Sequence, residues 1–208
     1  MELFQYGDPN ASAVLIQPVD DRDLAGIAQE AAEIRKLTDT PFCLKAVRVQ
    51  RWNHELSPWE APAVFGSEPF GGGAQETLSG IRHLVADPDK SCYIGGYSLA
   101  GLFALWAVYQ TDLFRGAAAA SPSVWFPDFT GYMQQHRIRC PQVYLSLGDR
   151  ESRTKNAVMA TVGDKIREAY ALLNEQGVRC ELEWNPGNHF RDAELRTAKA
   201  FAWLLRGQ

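Results

Sequence analysis

Six apolar, β-prone runs recur along the chain, at residues 13–17, 44–49, 91–95, 116–120, 143–147 and 180–184. They are apolar almost continuously and not at every second position, so both faces of each strand must be covered. Between them lie stretches of helical periodicity. Residues 21–36 put Leu24, Ile27, Ala28, Ala31 and Ile34 on one stripe, with Asp20 or Asp21 available as N-cap. Residues 75–85 put Leu78, Ile81, Leu84 and Val85 on another, and 99–109 are apolar nearly all round, as befits a helix packed centrally on a sheet. Further helices are predicted over 157–176, stopped by Gly177, and over 192–206, stopped by Gly207. This alternation predicts an α/β fold, a mostly parallel sheet with helices on both faces. No repeat, low-complexity tract or linker divides the chain, so residues 1–208 are expected to form one domain.

Ligands of such sheets bind at the carboxyl ends of the strands. At one of those ends stands Gly96-Tyr97-Ser98-Leu99-Ala100-Gly101, between the run Cys92-Tyr93-Ile94 and the apolar helix from Leu102 onward. This reads as a nucleophile elbow. A serine presented there enters a turn so sharp that its neighbours two before and two after must be small, and Gly96 and Ala100 hold those places.

A serine hydroxyl is a poor nucleophile until a base takes its proton, and the base needs an acid to orient it. On a fold of this kind the order is Ser, acid, His. Of the four histidines, His54 and His83 precede Ser98, and His136 stands in a polar stretch that suits a solvated surface position. His189, in the turn after the last predicted strand, is the candidate base. Two acids follow the run 143–147, namely Asp149 and Glu151. The spacing Gly-x-x-acid selects Glu151, while Asp149 is suited to satisfying the turn's backbone. An oxyanion needs two N–H donors. Leu99, after the nucleophile, offers one. The other should follow the run 13–17, where Pro18 has no N–H, so Val19 is the first candidate, Asp20 the next, and the Gln17 side chain a third.

Residues 50–73 break the rhythm, with three prolines and no periodicity. A long irregular loop in a compact domain is usually functional. Its Trp52 and Asn53, with Gln17 and Trp125, are the candidate substrate contacts. Trp59, Val124, Phe126, Phe129 and Tyr132 are further candidates for the walls of an open cleft. Gly71-Gly72-Gly73 lacks the Lys-Ser/Thr partner of a phosphate cradle.

Composition narrows the chemistry. Net charge is −4, and the 21 Lys and Arg are scattered, which leaves no footprint for nucleic acid or an anionic membrane. Cys43, Cys92, Cys140 and Cys180 have neither metal-ligand nor CxxC spacing and are expected to be free, mostly buried thiols. No histidine pair has the spacing of a metallohydrolase, and neither metal nor cofactor is expected. No apolar run approaches a membrane span and the start has no basic and apolar leader, so the expected location is cytoplasmic.

The stretches Tyr93 to Leu105, Ala119-Ala120-Ser121-Pro122-Ser123-Val124-Trp125, Leu145 to Glu151 and Gly187-Asn188-His189-Phe190 resemble the α/β-hydrolase family that includes esterase D, feruloyl esterases and enterobactin-type siderophore esterases. The resemblance implies an α/β-hydrolase fold, from which this short chain departs as a minimal version, with no insertion after Ala120 long enough for a large lid and without the early antiparallel strands. It also implies a serine esterase that attacks a small-molecule carboxylic ester with Ser98, uses His189 as base and Glu151 (or Asp149) as acid. Family members usually carry His-Gly where this chain has Gln17-Pro18. An acyltransferase, a peptidase and a catalytically silent scaffold are the alternatives.

Overall fold

The computed structural model describes residues 1–85 and 87–206. In chain order the elements are β1 (Glu2–Gly7), β2 (Ala13–Val19), α1 (Asp21–Leu37), β3 (Phe42–Arg48), α2 (Trp52–Glu55), β4 (Glu60–Ala61), β5 (Phe70–Gly71) and α3 (Ala74–Leu84). They continue with β6 (Ser91–Tyr97), α4 (Leu99–Gln110), β7 (Phe114–Ala120), α5 (Phe129–Gln135), β8 (Gln142–Gly148), a 3-10 turn (Met159–Thr161), α6 (Val162–Glu175), β9 (Arg179–Asn185) and α7 (Ala193–Leu205). Seven strands form one sheet in the order β1-β3-β2-β6-β7-β8-β9, parallel throughout except for β1, which runs antiparallel to β3.

The continuous apolar runs are explained by burial on two faces. Along β2, Val14 and Ile16 join one core while Ala13, Leu15 and Val19 join the other. Helices α1 and α7 cover the second face, and α3 to α6 the first. Helix α4 lies in the middle of the first core, with every residue from Leu99 to Tyr109 buried. Side chains as large as Phe103, at 0% exposure, each contribute roughly 1.5–3 kcal/mol by leaving water. Asp20 caps α1, accepting from the Asp23 N–H at 2.8 Å, so Asp21 is the first helical residue and not the cap.

The structure departs from the sequence expectations in four places. Strand β1 supplies an antiparallel edge where the chain was expected to lack the early antiparallel strands. It sits half-exposed, so Leu3, Phe4 and Tyr6 only partly enter the two cores and carry little apolar signal. Helix α5 was not foreseen either. The predicted helix 157–176 is a 3-10 turn followed by a later helical start at Val162. Residues 50–73 are irregular but well tied, with the short helix α2 and the β4–β5 ladder inside them. Leu56 and Phe70 plug this segment into the core, and Trp59 Nε1 donates to Pro127 O at 3.1 Å. A Cβ on Gly71 would collide with the His54 ring, so close packing explains a glycine there. The predicted helix stop at Gly207 lies outside the described residues.

Cys43, Cys92 and Cys140 are buried free thiols and Cys180 a partly exposed one. Burial pushes the Cys140 and Cys180 thiols up to about 12, which leaves them inert. No helix among the described residues is long and apolar enough to cross a membrane.

Candidate active site

Ser98 connects β6 to α4 with φ 57° and ψ −119°, a strained conformation for a residue with a side chain. The small residues around it are there because the turn doubles back tightly. A Cβ on Gly96 would lie 2.6 Å from the Ala100 Cβ. The turn is held by the Ser98 N–H donating to Ala120 O at 3.1 Å and by Ser98 O accepting from Leu102 and Ser123 N–H at 3.0 and 3.1 Å. The hydroxyl is thereby fixed at the carboxyl edge of the sheet. Its Oγ lies 3.0 Å from His189 Nε2 and 3.4 Å from Ser123 Oγ.

His189 reaches this point from the turn between β9 and α7. Its Nδ1 lies 2.7 Å from Glu151 Oε2, in the loop after β8. Glu151 is nearly buried, yet its second oxygen accepts from Gly148 N–H at 2.7 Å, Ser121 Oγ at 2.8 Å and Arg196 Nη1 at 2.9 Å. Burial alone would raise this carboxyl. The hydrogen bond and charge of His189, the Gly148 N–H and the Ser121 hydroxyl outweigh it and hold Glu151 below the usual glutamate range. An ionised Glu151 keeps the ring proton on Nδ1 and leaves Nε2 free to accept from Ser98.

Asp149, the other acid, does not meet His189. Its Oδ1 accepts the Gly187 N–H at 2.7 Å, and its own N–H donates to Asn185 O at 2.8 Å, which ties the acid loop to the histidine turn. His136 stacks on Tyr132 with ring centroids 4.0 Å apart.

Residues that were not singled out from sequence complete the surroundings. Tyr97 OH donates to His189 O at 2.8 Å, and burial pushes this phenol up to about 12, so it remains a donor. Ser121 and Arg196 hold Glu151. The signal for Arg196 was present in principle, since it falls in register with Ala200 and Leu204 on the buried stripe of α7, where a charge has no reason to be unless it is paired.

The oxyanion and cleft candidates are partly corrected. Leu99 opens α4, so its N–H has no acceptor within the helix. Val19 pairs with Arg48 in register and its carbonyl accepts the Val49 N–H at 2.9 Å. In a strand the N–H and C=O of one residue point the same way, so the Val19 N–H is turned toward β3 and away from β6. Asp20, one residue on, lies beyond the strand as the N-cap of α1. Gln17 is buried, and its amide nitrogen donates to Glu30 Oε2 at 3.2 Å, which commits it to the interior under α1. The aromatic wall is mostly core. Val124, Phe126 and Phe129 are buried, Trp125 is 8% exposed and packs on Phe65 and Phe70, and Trp59 packs on Phe126, Phe129 and Tyr132. Asn53 is buried as well and donates to Glu68 O at 3.3 Å, while Trp52 is half-buried against the same core. The exposed ring beside the histidine is Phe190, 76% exposed, with its centroid 5.6 Å from that of His189.

A mostly parallel seven-stranded sheet, a strained serine turn after β6, and acid and histidine after β8 and β9 in that order define an α/β-hydrolase fold. No protein-family model matches the sequence, and no curated protein matches it. Among solved structures the chain is similar to an IroE-like serine hydrolase from Shewanella oneidensis, at 14% identity and a TM-score of 0.78 over 98% of this chain and 75% of that one. It is similar to the siderophore hydrolase EstA from Aspergillus nidulans, at 22% identity and 0.67 over 97% and 86%. It is also similar to the enterobactin esterase FES from Shigella flexneri, at 12% identity and 0.64 over 99% and 55%. At these identities the likeness is one of fold.

Proposed function

We propose that the protein is a single-domain serine hydrolase that cleaves a small-molecule carboxylic ester through an acyl-enzyme on Ser98. What carries this reading is the unbroken contact from Ser98 Oγ to His189 Nε2 at 3.0 Å, and from His189 Nδ1 to Glu151 Oε2 at 2.7 Å. Ser98 Oγ attacks the carbonyl carbon while its proton passes to Nε2. The Leu99 and Asp20 N–H groups receive the oxyanion, each such donor contributing ~3 kcal/mol to the transition state. His189 then returns the proton to the departing alkoxide. A water attacks the acyl-serine by the same route in reverse roles, releasing the acid. Glu151 stays ionised and holds the ring in the tautomer that can accept.

Further support comes from the neighbours themselves, since two of those reported are described as a siderophore hydrolase and an enterobactin esterase. Phe190 stands at the rim of the site and is the residue best exposed to meet a bound ester.

A fluorophosphonate probe tests the reading. Stoichiometric labelling at Ser98, lost in Ser98→Ala and strongly slowed in His189→Ala, together with turnover of an ester panel from short to long acyl chains, is expected. Folded protein that neither labels nor hydrolyses any ester would instead favour a silent scaffold. Activity should also fall at acid pH, because a protonated His189 ring takes no proton.

A further inference from the structure

Arg196 is buried to 1% exposure on α7, where a lone guanidinium would be strongly disfavoured. Its charge is met by Glu151, and both side chains are nearly inaccessible. The fork is used almost completely. Nη1 shares its two N–H among Glu151 Oε1 at 2.9 Å, Tyr97 OH at 3.0 Å and Ser121 Oγ at 3.2 Å, and Nη2 donates to Pro186 O at 3.2 Å and Asn188 O at 3.1 Å. One planar group therefore touches the acid, the residue before the nucleophile, the end of β7, and the backbone on the N-terminal side of His189.

We propose that Arg196 is the positioning residue of this site. By holding Oε1 it turns Oε2 toward His189, by holding residues 186 and 188 it sets where the imidazole stands, and its charge offsets that of Glu151 as felt by the ring. The proposal rests on the reading of Ser98, His189 and Glu151 given above. Geometry favours Arg196 over its charged neighbours for the electrostatic part. Asp149, Arg150, Arg191 and Asp192 also face this turn, but their side chains are 54%, 64%, 62% and 56% exposed and screened by water. Tyr97 faces it from β6 as a neutral phenol. Arg196 and Glu151 are the buried charges of the group.

Two variants separate position from charge. Arg196→Met removes both. It is expected to lower kcat by about 100-fold, the cost of misplacing a catalytic group by about an ångström, with KM little changed. The uncompensated Glu151 carboxylate should also shift the acid limb of the pH–rate profile, and the His189 titration followed by NMR of its ring proton, upward by about one pH unit. Arg196→Lys keeps the charge but cannot span Glu151 and both carbonyls, so it should lose kcat while its limb stays within a few tenths of a pH unit of wild type. Should the methionine variant not fold, the lysine variant decides alone. Full rate in Arg196→Lys, or wild-type kcat and an unmoved His189 titration in folded Arg196→Met, would overturn the proposal. The NMR titration keeps the outcomes distinct: a wild type that does not label or turn over sinks the hydrolase reading, whereas an active wild type with indifferent Arg196 variants sinks only this one.

Discussion

Replacing Glu151 by glutamine changes one atom and removes one charge, and the surroundings dictate how the new amide must sit. Oε1 receives three donors, from Gly148 N–H at 2.7 Å, Ser121 Oγ at 2.8 Å and Arg196 Nη1 at 2.9 Å. An NH2 group placed there would face all three. The amide oxygen must therefore take that place, which puts the NH2 where Oε2 now lies, 2.7 Å from His189 Nδ1. A donor at that point makes Nδ1 an acceptor and drives the ring proton to Nε2, where it points at Ser98 Oγ. The ring can then no longer take the serine proton. The same inversion in the serine-protease triad costs ~10⁴ in kcat, or about 5.5 kcal/mol at 1.36 kcal/mol per decade. The assay is kcat and KM on a short-chain p-nitrophenyl ester, with thermal unfolding measured in parallel to exclude a damaged fold. KM should barely move, because the change does not touch the substrate. A folded Glu151→Gln protein keeping more than a tenth of wild-type kcat would refute the argument.

Asp149→Asn keeps an oxygen to accept the Gly187 N–H, so activity should stay close to wild type, whereas a large loss of kcat would return Asp149 to the catalytic machinery. Glu30 is buried with one oxygen unpartnered among the described residues, and burial, against the Gln17 hydrogen bond, raises its carboxyl well above the ordinary 4.5. The folded chain thus binds that proton more tightly than the unfolded chain, so this contribution to stability is full below about 4.5 and is lost as pH rises through the raised folded value. Asp23, pushed up to about 6 by burial and then by Asp20, acts in the same direction between 3.8 and 6. Glu30→Gln should then gain about 1–3 kcal/mol at pH 8 and flatten the decline, as read from urea unfolding at several pH values. Destabilisation at pH 8 would argue that Glu30 is ionised and paired. Glu151 works with the opposite sign: its folded value is lowered, so its contribution is present above about 4.5 and disappears as pH falls through the folded value.

The architecture was legible in the chain because burial on two faces writes itself into each strand as an unbroken apolar run, and burial of one helix stripe recurs at helical spacing. The central strands and the predicted helices other than 157–176 were found to within a few residues. Half-exposed β1 and short α5 escaped because neither buries enough to leave a periodic mark. The serine turn was equally local, since its tight return demands small residues at Gly96 and Ala100. Chain order also narrowed the partners to His189 and two acids. Beyond that point local pattern ran out. Glu151 meets the histidine and Asp149 does not, because their side chains leave one loop in different directions and only the packing of β8 against β9 decides which arrives. The Val19 N–H is lost to β3 through strand register, and Gln17 is turned inward under α1. Arg196, 45 residues from Glu151 in the chain, lies against it only when α7 closes over the sheet. The sequence alone determined where apolar surface must be hidden, which is a one-dimensional property. Only the tertiary structure decided which polar groups meet, because hydrogen bonds act over about 3 Å and depend on direction.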